Sequence, residues 1–306
     1  MGDTTGPAGL RLPEGVLAMA VRDGDWARWV ESLPGSAQGL LEEWQLGLDG
    51  PAQHGYCSLV LPVRTPAGRP AMLKVGYPDD ESEHEHLALR HWAGHGTVQL
   101  LRADPRRRAL LLERLHPEQL TEIDDIEACE VVAGLYRRLH VPAPPQLRRL
   151  SDRLGRWVDR LSALPRRAPL PHRLVEQALS IAGDLRSDAA TDGVLVHGDL
   201  HYDNVLAADR EPWLVIDPKP LSGDPHFEPA PMLWNRWDEV VAGGDVRGAV
   251  RRRFHTLVDG AELDEDRARD WVVLREVLNA AAELDEPTPD PDRITTGITI
   301  AKAVQD

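Results

Sequence analysis

Four polar positions set between two apolar runs constrain this chain more than any other feature. They are His197, Asp199, Asn204 and Asp217, in the stretch His197-Gly198-Asp199-Leu200-His201-Tyr202-Asp203-Asn204-Val205-Leu206, followed by Trp213-Leu214-Val215-Ile216-Asp217. A β-rich run precedes His197, another ends at Asp217, and Ala208-Asp209-Arg210-Glu211-Pro212 has the composition of the turn between strands. A hairpin there brings Asn204 and Asp217 to the same edge. Gly198-Asp199 alone is an ordinary turn signal. Four specified positions in fixed order between two strands are much harder to obtain by accident.

The residue types suit phosphoryl transfer, which needs few protein groups but needs them to converge. A carboxylate on a loop, Asp199, can orient an attacking hydroxyl and accept its proton. Magnesium prefers hard oxygen ligands and takes one or two from the protein. Asn204 offers an amide oxygen and Asp217 a carboxylate. His197 is expected to hold the loop through hydrogen bonds. His201 faces either the transferred group and substrate or a purely structural task. Asp217-Pro218-Lys219-Pro220-Leu221-Ser222-Gly223-Asp224-Pro225 follows directly and should line the site. Beyond it, Asp224, Glu228, Trp234 and Asn235 are candidate contacts for a cationic, hydroxylated substrate, although Trp234 fits a core position equally well.

Upstream, Lys74 follows Met72-Leu73 on a β-run. A cation there can meet nucleotide phosphates if a helical carboxylate holds it; Glu85 is the expected partner and Glu81 the second choice. Lysine is scarce, with Lys74, Lys219 and Lys302 the only ones among 35 basic residues, so arginine fills the generic surface positions. The run Leu111-Leu112-Glu113-Arg114-Leu115 carries an apolar strand into a short connection, where backbone at Glu113 and Leu115 can face an adenine.

The remaining pattern predicts an α+β chain. Residues 1–15 read as loose surface. Trp26 to Trp44 has helical spacing, with a break expected at Pro34-Gly35 that gives two short helices. Ser58–Arg64 and Ala71–Val75 read as a hairpin, with Pro62 at an edge or bulge. A helix is expected over Asp80–Trp92, and strands over Val98–Leu101 and Ala109–Leu112, with Arg106-Arg107-Arg108 a solvated turn between them. Helices follow at Asp124–His140, Leu147–Leu164 and Pro171–Leu185, then the compact β segment Val194–Asp217, then a mostly helical remainder to Val304. The organisation expected is a nucleotide-binding part over 1–112, a hinge at 113–117 and a catalytic and substrate-binding part over 118–306.

A net charge of −15 argues against general nucleic-acid binding, which needs a basic surface, and permits a cationic substrate. Cys57 and Cys129 are too few for a disulfide framework or a four-thiolate zinc site, and are expected to be reduced. No apolar run is long enough to span a bilayer and no secretory signal is visible at Met1–Leu10, so the cytoplasm is the expected location.

The segment from Val196 to Arg236 resembles the aminoglycoside phosphotransferase family, in particular its streptomycin 6-phosphotransferase and hydroxyurea-resistance kinase branch. The shared runs are V-H-G-D-L-H-Y-D-N-V-L, I-D-P-K-P-L-S-G-D-P and A-P-M-L-W-N-R. L-P-V-R…L-K-V, H-E-H-L-A-L-R-H-W-A-G-H-G and L-L-E-R-L resemble it too, so the likeness runs over roughly residues 20–280. It implies a protein-kinase-like two-lobed fold and ATP- and magnesium-dependent phosphorylation of an antibiotic hydroxyl, most simply the 6-hydroxyl of streptomycin. By position it implies Asp199 as base, Asn204 and Asp217 as magnesium ligands, and Lys74 as the phosphate-binding lysine. Two departures stand out: Gln53–Ser58 lacks a G-x-G-x-x-G loop, and Asp217-Pro218-Lys219 replaces the D-F-G of protein kinases. Other readings are a kinase of the same fold acting on hydroxyurea, an amino alcohol or a sugar, a nucleotide-binding module without turnover, or a zinc hydrolase built on His197, Asp199 and His201.

Overall fold

The computed structural model describes residues 10–165, 167–286 and 288–305. The chain divides into two compact units, one ending at His116 and the other starting at Pro117.

The first unit contains α1 (Glu14–Met19), α2 (Gly24–Glu43), β1 (Gly47–Leu48), β2 (Gln53–His54), β3 (Ser58–Arg64), β4 (Pro70–Gly76), α3 (Glu85–Trp92), β5 (Leu100–Asp104) and β6 (Ala109–Glu113). Its antiparallel sheet runs β1-β3-β4-β6-β5, with β2 also on β3. One face of the sheet packs on the two leading helices: Leu59, Leu61, Val63, Leu73 and Val75 meet Val30, Leu33, Ala37 and Leu40 in one apolar cluster. Successive strand residues point to opposite faces, so the alternation that buries Leu73 and Val75 here sends Lys74 to the other face.

Three expectations need correction. The Trp26–Trp44 stretch is one helix, with Pro34 inside it. An interior proline costs about 3 kcal/mol, but Val30 and Leu33 before it and Ala37, Leu40 and Leu41 after it are all buried on one stripe. Burying each such side chain contributes about 1.5–3 kcal/mol, which outweighs the break. The start of the chain is less loose than its composition suggests, since Leu10 and Leu12 are buried and α1 opens at Glu14; residues 1–9 of that segment lie outside the described residues. Pro62 lies in a strand paired on both sides. Its carbonyl accepts from Asp49 N–H (2.9 Å), so its nitrogen faces the interruption between β1 and β2, where no ladder donor is needed.

The second unit contains α4 (Asp125–Leu139), β7 (Val141–Pro142), α5 (Leu150–Ser162), α6 (His172–Ser187), β8 (Val194–Val196), β9 (Val205–Ala207), β10 (Trp213–Val215), β11 (Leu221–Gly223), α7 (Ala230–Trp234), α8 (Trp237–Ala242), α9 (Val246–Ala261), α10 (Glu265–Glu283) and α11 (Pro291–Ala303). Helix α10 is its core: Trp271, Val272, Val273, Leu274, Val277 and Ala281 are buried around its circumference, against α6 and α11 among others. Two small antiparallel sheets sit in this helical frame, the β9–β10 hairpin and the β7–β8–β11 ladder. The loop after β8 and the connection from β10 to β11 carry the polar signature.

Candidate active site

The β9–β10 register pairs Val205 with Val215, so Asn204 and Ile216 lie at the open end of the hairpin, where Ile216 N–H donates to the Asn204 carbonyl (2.9 Å). Asp217 follows at once, with φ at +55°. A left-handed aspartate is tolerated at a small energetic cost, and such positions cluster at functional sites. Asn204 is buried and its Nδ2 donates to the Asp199 carbonyl (2.8 Å), which leaves the amide oxygen as the acceptor end. Asn204 and Asp217 thus present one amide oxygen and one carboxylate from the same hairpin end, the hard-oxygen donor set that suits magnesium.

The loop carrying Asp199 is held by its neighbours. His197 is buried; its Nε2–H donates to the Ile216 carbonyl (2.9 Å) and its Nδ1 accepts from Asp199 N–H (3.2 Å). Burial pulls its pKa to about 4, so the ring is a neutral tie between the two motif segments. Gly198 has φ +85°, and a Cβ there would sit 2.4 Å from the Lys219 carbonyl oxygen, so only glycine fits. Its N–H donates to Glu228 Oε1 (3.1 Å) and its carbonyl accepts from Arg275 (3.1 Å). Asp199 is half-buried, with Lys219 Nζ 2.7 Å from its Oδ2. Burial pushes the Asp199 carboxyl up, but the cations around it, Lys219 foremost, outweigh that and hold it below the usual range. It is ionised at neutral pH.

His201 Nε2 accepts from the Asn204 amide (3.1 Å), and its Nδ1 lies 3.3 Å from Asp203 Oδ2. Asn235 donates to the same carboxylate (3.1 Å). These three residues form one polar cluster beside Asn204, and Trp234 next to it is half-buried. Asp224 and Glu228 are placed differently from a substrate surface. Asp224 is 1% exposed and accepts from Trp271 Nε1, Arg267 Nε and His226 Nδ1, each at 2.6 Å. Glu228 is fully buried under Gly198. Glu228 braces the loop through Gly198, while Asp224 is filled by Trp271, Arg267 and His226; sequence shows charge without showing burial.

In the first unit, Lys74 Nζ lies 2.8 Å from both carboxylate oxygens of Glu85, at the N-terminus of α3. The pair is nearly closed to solvent, at 11% and 6% side-chain exposure. Glu113 ends β6, and its Oε1 accepts from Gln99 N–H (2.8 Å). Arg114 pins the next residue to the sheet, donating to the Val63 (2.7 Å) and Ala71 (3.2 Å) carbonyls and pairing with Asp49 (2.8 Å). Leu115 follows, half-buried and outside any strand. The turn from His54 to Ser58 closes with a Gly55 N–H to Ser58 carbonyl bond (3.0 Å) and leaves Tyr56 77% exposed.

Two supports were not singled out as site residues: Lys219, within the lining segment after Asp217, and Arg275. Lys219 had a signal, as one of three lysines, two residues after Asp217. Arg275 had none, because 32 arginines look alike in the sequence until the fold selects one of them.

Glu228 has a measurable consequence. Burial pushes its carboxyl to about 7 from an ordinary 4.5, against the opposing pull of the Gly198 N–H and Arg275. The fold therefore favours the protonated acid. That stabilisation is fully present below pH 4.5 and is lost as pH rises through about 7. Glu228→Gln keeps a neutral isostere, so its unfolding free energy should escape a decline of roughly 3 kcal/mol that the parent shows over this window. Urea unfolding at stepped pH checks this; parallel pH profiles would reject it.

Comparison with known proteins bears on this geometry. The family model described as aminoglycoside/hydroxyurea antibiotic resistance kinase matches residues 43–286. A streptomycin 6-kinase of Streptomyces glaucescens is 39% identical over 306 residues, with 97% of each chain covered. A hydroxyurea phosphotransferase of Kitasatospora aureofaciens is 42% identical over 287 residues, covering 90% of this chain and 81% of that one. Among solved structures, a choline/ethanolamine kinase family protein from Mesorhizobium loti aligns with a TM-score of 0.59 at 17% identity, over 85% of this chain and 90% of that one, a likeness of fold. The α+β, protein-kinase-like fold expected from the sequence is the fold of this chain. Matched across most of its length by the family model and across nearly all of it by a curated relative, the chain belongs to the aminoglycoside/hydroxyurea antibiotic resistance kinase family and is a small-molecule kinase.

Proposed function

We propose that this protein transfers the γ-phosphoryl group of ATP to a hydroxyl of an aminocyclitol antibiotic, streptomycin at its 6-hydroxyl, and so confers resistance. The observation that carries the chemistry is the convergence of Asp199, Asn204 and Asp217 at one hairpin end. The substrate rests on 39% identity to a streptomycin 6-kinase over nearly the whole of both chains. A net charge of −15 suits a cationic, polyhydroxylated substrate.

In this reading Asp199 orients the substrate hydroxyl and takes its proton as the oxygen attacks the γ-phosphorus in line, and the bond from that phosphorus to the β,γ-bridging oxygen breaks to release ADP. Asn204 and Asp217 hold magnesium, which when bound neutralises charge on the phosphates. Lys74, kept extended by Glu85, serves the nucleotide phosphates, and backbone near Glu113 and Leu115 serves the adenine. Residues 1–112 form the nucleotide part, 113–117 the connection and 118–306 the catalytic part. His201, Trp234 and Asn235 are the substrate-side residues, while Glu228 braces Gly198 and Asp224 is occupied by its buried partners. The reaction takes place in the cytoplasm, where ATP is supplied; among the described residues no helix is long and apolar enough to cross a membrane.

A second reading has a specific support: 42% identity to a hydroxyurea phosphotransferase. ADP release with magnesium–ATP separates the two, using streptomycin, hydroxyurea, choline and neutral sugars as acceptors and mass spectrometry of the product. Stimulation by streptomycin alone is expected. Stimulation by hydroxyurea alone would transfer the same chemistry to that acceptor, and silence with every acceptor would overturn the reading.

A further inference from the structure

Lys219 is placed with unusual care for a half-exposed lysine. Pro218 and Pro220 flank it; each fixes its own φ, and Pro220 also restricts the backbone of Lys219. Its N–H donates to the His197 carbonyl (2.8 Å), and its own carbonyl packs against Gly198, 2.4 Å from where a Cβ would stand. The main chain of Lys219 is therefore fastened to the two residues that precede Asp199. Its Nζ then spans back to Oδ2 of Asp199 at 2.7 Å. In a chain where arginine supplies nearly all the positive charge, this position holds lysine. The ammonium is a compact point charge on a flexible stem, whereas a guanidinium is a planar fork.

We infer that Lys219 is a positioning residue for phosphoryl transfer, its ammonium, 2.7 Å from Oδ2 of Asp199, holding that carboxylate in place for the acceptor hydroxyl. The inference rests on the reading of Asp199 as the base. It adds a residue to that reaction. A carboxylate held by a fixed cation keeps one orientation, which is what a near-attack hydroxyl needs.

The test uses the full chain with magnesium–ATP and whichever acceptor stimulates the parent. Lys219→Met should lower kcat about 30-fold or more, with KM for ATP changed by no more than about twofold. Calorimetric affinity for magnesium and a non-hydrolysable ATP analogue should stay at the parent's value, a readout independent of turnover. Lys219→Arg, which keeps the positive charge, should recover part of the lost kcat. Lys219→Ala should be rescued dose-dependently by propylammonium, which leaves the parent unaffected; rescue also shows that the variant is folded. Parent-like kcat in Lys219→Met, or a loss carried by nucleotide affinity, overturns the inference. An Asp199→Ala control separates the two failures. If it is inactive while Lys219→Met is not, the positioning role alone falls; if it is active, the reading of Asp199 as base falls.

Discussion

Asp199→Ala should lose about 10³-fold in kcat while binding magnesium–ATP nearly as tightly as the parent. The expectation follows from which contacts the side chain makes. Its carboxylate meets Lys219, whereas its backbone N–H bonds His197 and its backbone carbonyl takes the Asn204 amide. Truncation to alanine removes only the first of these, so Asn204 and the hairpin end keep their places. The carboxylate is half-buried rather than packed in core, so the variant should fold. Single-turnover kinetics and nucleotide calorimetry on the same preparation check both halves. A kcat within about tenfold of the parent would remove Asp199 from the proton-transfer role. A matching loss of nucleotide affinity would instead mean that Asp199 helps to hold the metal.

How much of this was legible in the sequence depends on the range of the interaction. The hairpin that joins Asn204 to Asp217 is local: two apolar runs and a turn specify it, and the period of two sets which residues share an edge. The Lys74–Glu85 contact spans eleven residues of strand, turn and helix, and the alternation of Ala71, Leu73 and Val75 already puts Lys74 on the other face. Pro34 misleads because its cost is visible in one letter, while the buried stripe that overrides it is spread over Val30 to Leu41. The bracing behind the Asp199 loop is not legible at all. Glu228 and Arg275 reach Gly198 across thirty and seventy-seven residues, and nothing in their spacing marks them. Asp224 looks like a substrate contact for the same reason. An acidic residue seven positions after Asp217 is conspicuous, but only the fold reveals that Trp271, Arg267 and His226 already fill it.

Arg253→Met should be the most destabilising single change near the site, costing about 3–5 kcal/mol. The side chain is 1% exposed and pairs through Nε with Asp125 (2.8 Å). Its NH1 donates to the Asn235 carbonyl (2.6 Å), with the Met232 (3.3 Å) and Leu233 (3.4 Å) carbonyls also in reach. Those carbonyls belong to the last turn of α7 and the residue after it, which have no partners within the helix. Arg253 thus serves as the C-terminal cap of α7, supplied from α9. Asp125 in turn accepts from the hydroxyl of Tyr202 (2.6 Å), which lies in the loop between Asp199 and Asn204. Methionine fills much of the volume but donates nothing, so Asp125 loses its cation and several buried carbonyls lose their donor. Loss of the cap should also loosen Asn235, whose amide holds Asp203. Denaturant unfolding measures the stability loss, and hydrogen exchange at Tyr202–Asn204 should quicken with it. A cost below about 1 kcal/mol would show that water replaces the arginine at these carbonyls. A large cost with unchanged exchange in the loop would show that the brace stabilises α7 without reaching Tyr202–Asn204.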